Sequence, residues 1–225
     1  MKAEQERERY RMVTMEYGTP DAPVVLIQMV DEHSIPHLER EVAAIRAHTT
    51  EPFRLIAAKV EHWNTDLSPW EAPPVFGGEA FGAGAERTLR EVLTLTGDRS
   101  KTYILGGYSL AGLFALWAAY QTNTFAGVAA VSPSVWFPGF VNYMKAYAIQ
   151  STIVYLSLGD REEKTRNPAL AKVGECIRET DRWLREHEVE CTLKWNPGNH
   201  FRDADLRTAR AFAWVMERWS HRKKR

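Results

Sequence analysis

Short, β-rich apolar runs alternate with segments of helical periodicity along nearly the whole chain, and this alternation most limits the folds open to it. Runs at 23–29, 53–60, 102–105, 127–131, 152–158 and 189–195 have the length and residue types of buried strands. Between them, Leu38, Val42 and Ile45 share one helical face behind Pro36, which suits a first turn, and Leu89, Val92 and Leu93 share another. Leu170, Val173, Ile177 and Leu184 keep helical spacing after Pro168, and Leu206, Ala209, Phe212, Met216 and Trp219 keep it towards the end. Such faces are core, not cofactor sites. Strand and helix in alternation predict an α/β chain whose mostly parallel central sheet is flanked by helices. Residues 10–17 alternate more loosely and read as an antiparallel edge strand.

The remaining composition narrows the partners. With 225 residues, 44% of them hydrophobic, the chain is long enough for one core, and residues 1–225 read as a single domain. Its 29 basic and 29 acidic side chains cancel, so no global field favours nucleic acid or an anionic membrane, and a small, neutral partner is expected. The charged first ten residues do not read as a signal peptide, and no apolar run approaches the roughly 20 residues of a membrane helix. Cys176 and Cys191 lack metal-ligand spacing and read as reduced thiols, which fits a cytoplasmic protein. Residues 221–225 read as a solvated, frayed basic end. Two stretches break the alternation. Residues 61–85, with Trp63 and Trp70 among prolines and glycines, read as a long ordered loop at a binding site, and 132–150 as part of a pocket wall.

The sequence TYILGGYSLAGLFAL at 102–116 is an apolar strand, a sharp Gly-Tyr-Ser-Leu-Ala turn and a helix-forming run. That context is the nucleophile elbow, in which a serine takes a strained backbone at the top of a sheet and small neighbours let strand and helix approach. Ala111 stands where the pattern's last glycine would be, with Gly112 beyond it. Ser109 is therefore the candidate nucleophile. A serine hydroxyl needs a base within hydrogen-bond reach and a third group to orient that base. His200, after the last predicted strand and before the last predicted helix, is the candidate base. Three carboxylates follow the strand that ends at Gly159: Asp160, Glu162 and Glu163. The position three residues beyond the glycine picks Glu162, with Asp160 as the alternative acid and Glu163 third. The oxyanion donors are expected to be the backbone N–H of Leu110 and, from the loop after the first central strand, that of Met29. No metal ligands and no cofactor are expected.

GGYSLAGLFALWA, VSPSVWF, SLGDREEKTRNP and WNPGNHF together resemble the esterase D-like, enterochelin esterase-like family, whose relatives include feruloyl esterases and S-formylglutathione hydrolases. The resemblance spans about 23–219. It implies an α/β-hydrolase fold without a large cap domain, and an esterase-like serine hydrolase acting on a carboxylic ester through an acyl-enzyme intermediate. Ser109 and His200 match the family's catalytic serine and histidine, and Glu162 its acid position, while some siderophore esterases work as serine–histidine dyads. Tyr108, beside the nucleophile, and Trp136, in the VSPSVWF segment, are the candidate substrate-pocket residues; a core role for Trp136 carries equal weight. The alternatives are a thioesterase or acyltransferase with the same triad, and a noncatalytic binding module on the same fold.

Overall fold

The computed structural model describes residues 12–75 and 77–223. In chain order its elements are β1 (Thr14–Gly18), β2 (Val24–Val30), a short 3-10 turn (Ile35–His37), α1 (Leu38–His48), β3 (Phe53–Lys59), α2 (Trp63–Asp66) and α3 (Ala85–Thr94). There follow β4 (Thr102–Tyr108), α4 (Leu110–Gln121), β5 (Phe125–Val131), α5 (Phe140–Ala146) and β6 (Ile153–Gly159). The chain then runs through α6 (Pro168–Ala171), α7 (Val173–Glu186), β7 (Glu190–Asn196) and α8 (Ala204–Lys223). The strands form one sheet in the order β1-β3-β2-β4-β5-β6-β7, with β1 antiparallel to β3 and every other pair parallel.

Both faces of this sheet are covered, which is why the central strands read as continuous apolar runs and not as alternating ones. The period of two shows in which core each residue joins. Val25, Ile27 and Met29 pack with α3, α4, α5 and α7, whereas Val24, Leu26 and Val30 pack with α1 and α8. Helix α4 is buried along Leu110–Tyr120, consistent with its near absence of polar side chains. Among the described residues, no helix is long and apolar enough to cross a membrane. Cys176 on α7 and Cys191 on β7 are free thiols.

Where the structure differs from the sequence reading, tertiary packing is the reason. The third central strand runs on past 105 to Tyr108 through two glycines. A Cβ on Gly106 would lie 2.5 Å from the Phe212 ring of α8, and one on Gly107 2.6 Å from the Ala111 Cβ of α4. Glycine here continues the strand by letting two helices close on it. The 61–85 stretch contains α2 and an Ala72–Phe81 bridge, and 132–150 contains α5. These two stretches are tied together: the Trp70 indole donates to the Pro138 carbonyl at 2.8 Å, and its ring packs on Phe137 and Tyr143. Of the predicted frayed end, His221 to Lys223 continue the last helix, where Arg222 donates to Glu190 at 2.9 Å and to the Thr152 hydroxyl at 2.7 Å; Lys224 and Arg225 lie outside the described residues. The predicted edge strand begins at Thr14; Tyr10 and Arg11 lie outside the described residues.

Candidate active site

Parallel sheets gather the loops that follow their strands at one edge, and the candidate residues come from three such loops. Ser109 directly follows β4, Glu162 lies three residues beyond β6, and His200 four beyond β7. Ser109 has φ 60° and ψ −120°, a left-handed conformation that costs a non-glycine residue about 1–3 kcal/mol. Its backbone is over-determined: the N–H donates to Val131 O at 3.0 Å, while the carbonyl accepts from Leu113 N at 3.0 Å and Ser134 N at 3.1 Å. The bend is tight because Gly107 leaves room for Ala111, and Gly112 lies against the Gly107 and Val131 carbonyls. The Ala111 Cβ, where the pattern's last glycine would be, occupies the space that the missing Cβ of Gly107 leaves.

His200 Nε2 lies 3.0 Å from Ser109 Oγ, and His200 Nδ1 lies 2.7 Å from Glu162 Oε2. With the proton on Nδ1 donated to Glu162, Nε2 is left as an acceptor for the serine hydroxyl. The Ser134 hydroxyl is 3.4 Å from the same Oγ. Glu162 is nearly buried, and its other oxygen accepts from the Ser132 hydroxyl at 2.7 Å, the Gly159 N–H at 2.7 Å and Arg207 at 3.2 Å. Burial alone would raise the Glu162 carboxyl, but the His200 ring, the Ser132 hydroxyl and the Gly159 N–H together hold it below the ordinary range. The group is kept as the anion that an imidazolium needs.

Asp160, the alternative acid, does not face the histidine; its carboxylate accepts from the Gly198 N–H at 2.8 Å and pins the histidine's loop. Glu163 turns away to pair with Arg178. Of the three carboxylates, it is Glu162, the one that spacing picked, whose side chain meets His200, with Ser132, Gly159 and Arg207 holding its other oxygen.

Arg207 is the functional neighbour that the sequence reading missed. It is 1% exposed, and besides Glu162 it donates to the Tyr108 hydroxyl at 3.1 Å and the Pro197 carbonyl at 3.0 Å. Tyr108 in turn donates to the His200 carbonyl at 2.6 Å, and burial raises its phenol, so it stays a protonated donor. One guanidinium thereby joins the acid, the residue before the nucleophile and the loop that carries the base. The available signal was an arginine on the face of α8 that also presents Ala211, Phe212 and Val215 to the core.

A cavity of about 520 Å³ opens beside Ser109 and His200, lined also by Met29, Tyr108, Trp63 and Phe201. Trp63 brings the 61–85 loop to the site. Leu110 begins α4, so its N–H is one of the first-turn donors without an intrahelical acceptor, and Met29 lies one residue past the last β2–β4 pair, Gln28–Gly106. Trp136 packs edge-on to Phe81 at 6.0 Å and is not on the wall of this cavity.

Comparison with solved structures gives the architecture its place. The siderophore hydrolase EstA from Aspergillus nidulans superposes with a TM-score of 0.67 over 93% of this chain and 95% of its own, at 14% identity. EstB from the same organism gives 0.66 over 89% and 85%, at 21% identity. The fold is that of an α/β-hydrolase. The enterobactin esterase FES from Shigella flexneri also carries this α/β-hydrolase architecture, with a TM-score of 0.63 over 93% of this chain; the chain spans 56% of that longer protein, at 14% identity. No protein-family model matches the sequence, and no curated protein matches it.

Proposed function

We propose that this protein is a serine-dependent hydrolase of carboxylic esters, acting through an acyl-enzyme intermediate. The observation that carries this reading is the continuous chain of hydrogen bonds from Ser109 through His200 to Glu162 at the mouth of a cavity. The esterase names of its structural neighbours point the same way.

In this mechanism the Ser109 hydroxyl attacks the ester carbonyl while His200 Nε2 takes its proton. Glu162 stabilises the resulting imidazolium through Nδ1, and the oxyanion is met by the N–H groups of Leu110 and Met29. The tetrahedral intermediate collapses as His200 returns the proton to the departing alcohol, leaving the acyl group on Ser109. Water then attacks the acyl carbon, again giving its proton to His200; release of the acid restores the serine. No cofactor and no metal enters any step, and the substrate is a small or medium-sized ester. A thioester, or an acceptor other than water, would use the same groups.

The test is turnover of short-chain p-nitrophenyl esters by the wild type and by Ser109→Ala. The expected result is a loss of at least about a thousandfold in kcat/KM. Turnover undiminished in Ser109→Ala would overturn the assignment.

A further inference from the structure

The turn that follows β5 places two seryl hydroxyls against the relay, one at each end. Ser132 Oγ donates to Glu162 at 2.7 Å, and Ser134 Oγ lies 3.4 Å from Ser109 Oγ. Ser132 steadies the acid, whereas proton transfer to His200 gives Ser134 no task. Ser134 is 3% exposed and does not line the cavity, so it reaches the nucleophile from within the protein and not from the substrate side. Among the described residues its hydroxyl has no other hydrogen-bond partner.

The direction of that contact follows from the histidine. With the ring proton on Nδ1 and donated to Glu162, Nε2 accepts the one proton of the Ser109 hydroxyl, so towards Ser134 the Ser109 Oγ is an acceptor and Ser134 the donor. The donor is held in place before any substrate arrives. Ser132 N–H donates to Ser157 O at 2.9 Å, Ser134 N–H to Ser109 O at 3.1 Å, and the Ser134 carbonyl accepts from Phe137 N at 2.9 Å. Gly112 closes the fit, since a Cβ there would lie 3.2 Å from Pro133 Cα. A donor fixed in this way needs no reorganisation when charge develops on the oxygen it faces.

We propose that the Ser134 hydroxyl is a catalytic donor to Ser109 Oγ, stabilising the negative charge which that oxygen carries as it attacks and again as it leaves. The proposal deepens the esterase reading and rests on it. During acylation the Ser109 proton passes to His200 Nε2, one lone pair of Oγ forms the bond to the ester carbonyl carbon, and another accepts from Ser134. In the acyl-enzyme the same oxygen is an uncharged ester oxygen and a weaker acceptor. During deacylation the bond from Oγ to the acyl carbon breaks, its electron pair returns to Oγ, and the proton comes back from His200 while Ser134 donates once more. Ser134 keeps its own proton throughout. At 3.4 Å the contact is long for two neutral hydroxyls, and it tightens as the acceptor becomes charged, because charge-assisted bonds are shorter and roughly twice as strong as neutral ones. Only that increment speeds the reaction, which sets the expected effect at about tenfold, well below the loss of a triad member.

The experiment compares wild type with Ser134→Ala by turnover of p-nitrophenyl butyrate, by the rate constant of fluorophosphonate labelling at Ser109, and by thermal unfolding. Alanine keeps the backbone bonds of the turn and leaves Ser109 Oγ its bond to His200, so no buried group is orphaned and Tm is expected to stay within about 3 °C. Both kcat/KM and the labelling rate constant should fall about tenfold, with KM changed less than about threefold. The midpoint of the acid limb of the kcat/KM–pH profile should not move, because Ser134 sits at the nucleophile's end of the relay and not the histidine's. A fall of under about twofold in either rate, or a loss that comes with a displaced acid limb, overturns the proposal. Wild type that is labelled, with labelling undiminished in Ser134→Ala, refutes the proposal alone; wild type that neither hydrolyses the ester nor takes the label refutes the esterase reading and the proposal with it. Should Ser134→Ala fail to fold, neutron diffraction from crystals of the wild type decides: a Ser134 hydroxyl deuterium directed at Ser109 Oγ supports the assignment, and one directed at any other acceptor overturns it.

Discussion

Replacing Arg207 with methionine keeps a long side chain on α8 and removes its charge. The side chains of Arg207 and Glu162 are 1% and 4% exposed, so neither charge is offset by water. Loss of one partner from a buried pair costs about 3–5 kcal/mol, because the remaining charge stays buried without compensation. The Ser132 hydroxyl and the Gly159 N–H still hold the same Glu162 oxygen, which places the expected cost at the lower end, about 3 kcal/mol. For a chain of this size about 2–4 °C of Tm is lost per kcal/mol, so a fall of roughly 6–12 °C is expected in thermal unfolding. The double-mutant cycle carries the sharper content. In a Glu162→Gln background the anion is gone, and removing Arg207 also removes a stranded cation, so the two costs should fall short of their sum by about 1–3 kcal/mol. Additive costs, or a shift of under about 2 °C for the single variant, would refute the view that Arg207 exists to hold this carboxylate.

Glu162→Gln should lower kcat by about three to four orders of magnitude, since the neutral amide neither fixes the imidazole tautomer nor stabilises its cation. Asp160→Asn, which keeps an acceptor for the Gly198 N–H, should change it less than about threefold; equal, negligible losses would point to a serine–histidine dyad. Glu41 gives a pH signature of stability. Its folded pKa, about 8, lies above the ordinary 4.5, so its stabilising contribution is complete below about pH 4.5 and is lost as pH rises through about 8. Relative to wild type, Glu41→Gln should therefore gain up to about 4–5 kcal/mol between pH 4.5 and 8 in urea unfolding, whereas a difference that does not vary with pH would exclude a buried, protonated Glu41.

How much of this was open to sequence reading depended on whether the information is local. Strands such as Val24–Val30 and Ile153–Gly159 were legible because both faces of the sheet are covered, and full burial leaves a run that is apolar apart from Gln28 in one and Ser157 in the other. Ser109 and His200 were legible because an elbow needs small residues at fixed offsets and the fold sets the order of the loops. Strand β4 was cut short at its glycines, since only the positions of Phe212 and Ala111 reveal that those glycines make room within a strand. The acid stood among three neighbouring carboxylates, of which the offset from Gly159 picked Glu162 over Asp160 and Glu163; the contacts that hold it, from Ser132, Gly159 and Arg207, are dispersed across the chain and were not legible. Arg207 itself was hidden among the charges of a helix whose buried face is only partly apolar. The burial of Gln28, Glu41 and Asp205 was likewise invisible, because a glutamate beside Val42 on an amphipathic helix reads as solvated until α8 is seen to cover it.

The central claim is that Ser109 is a nucleophile activated by His200. Its most direct test is labelling of the native protein with a fluorophosphonate, followed by peptide mass mapping, with His200→Ala in parallel. The account expects a phosphonyl adduct on the peptide holding Ser109 in the wild type and almost none in the variant. A native protein that stays unlabelled, or a label that maps to another residue, would contradict it.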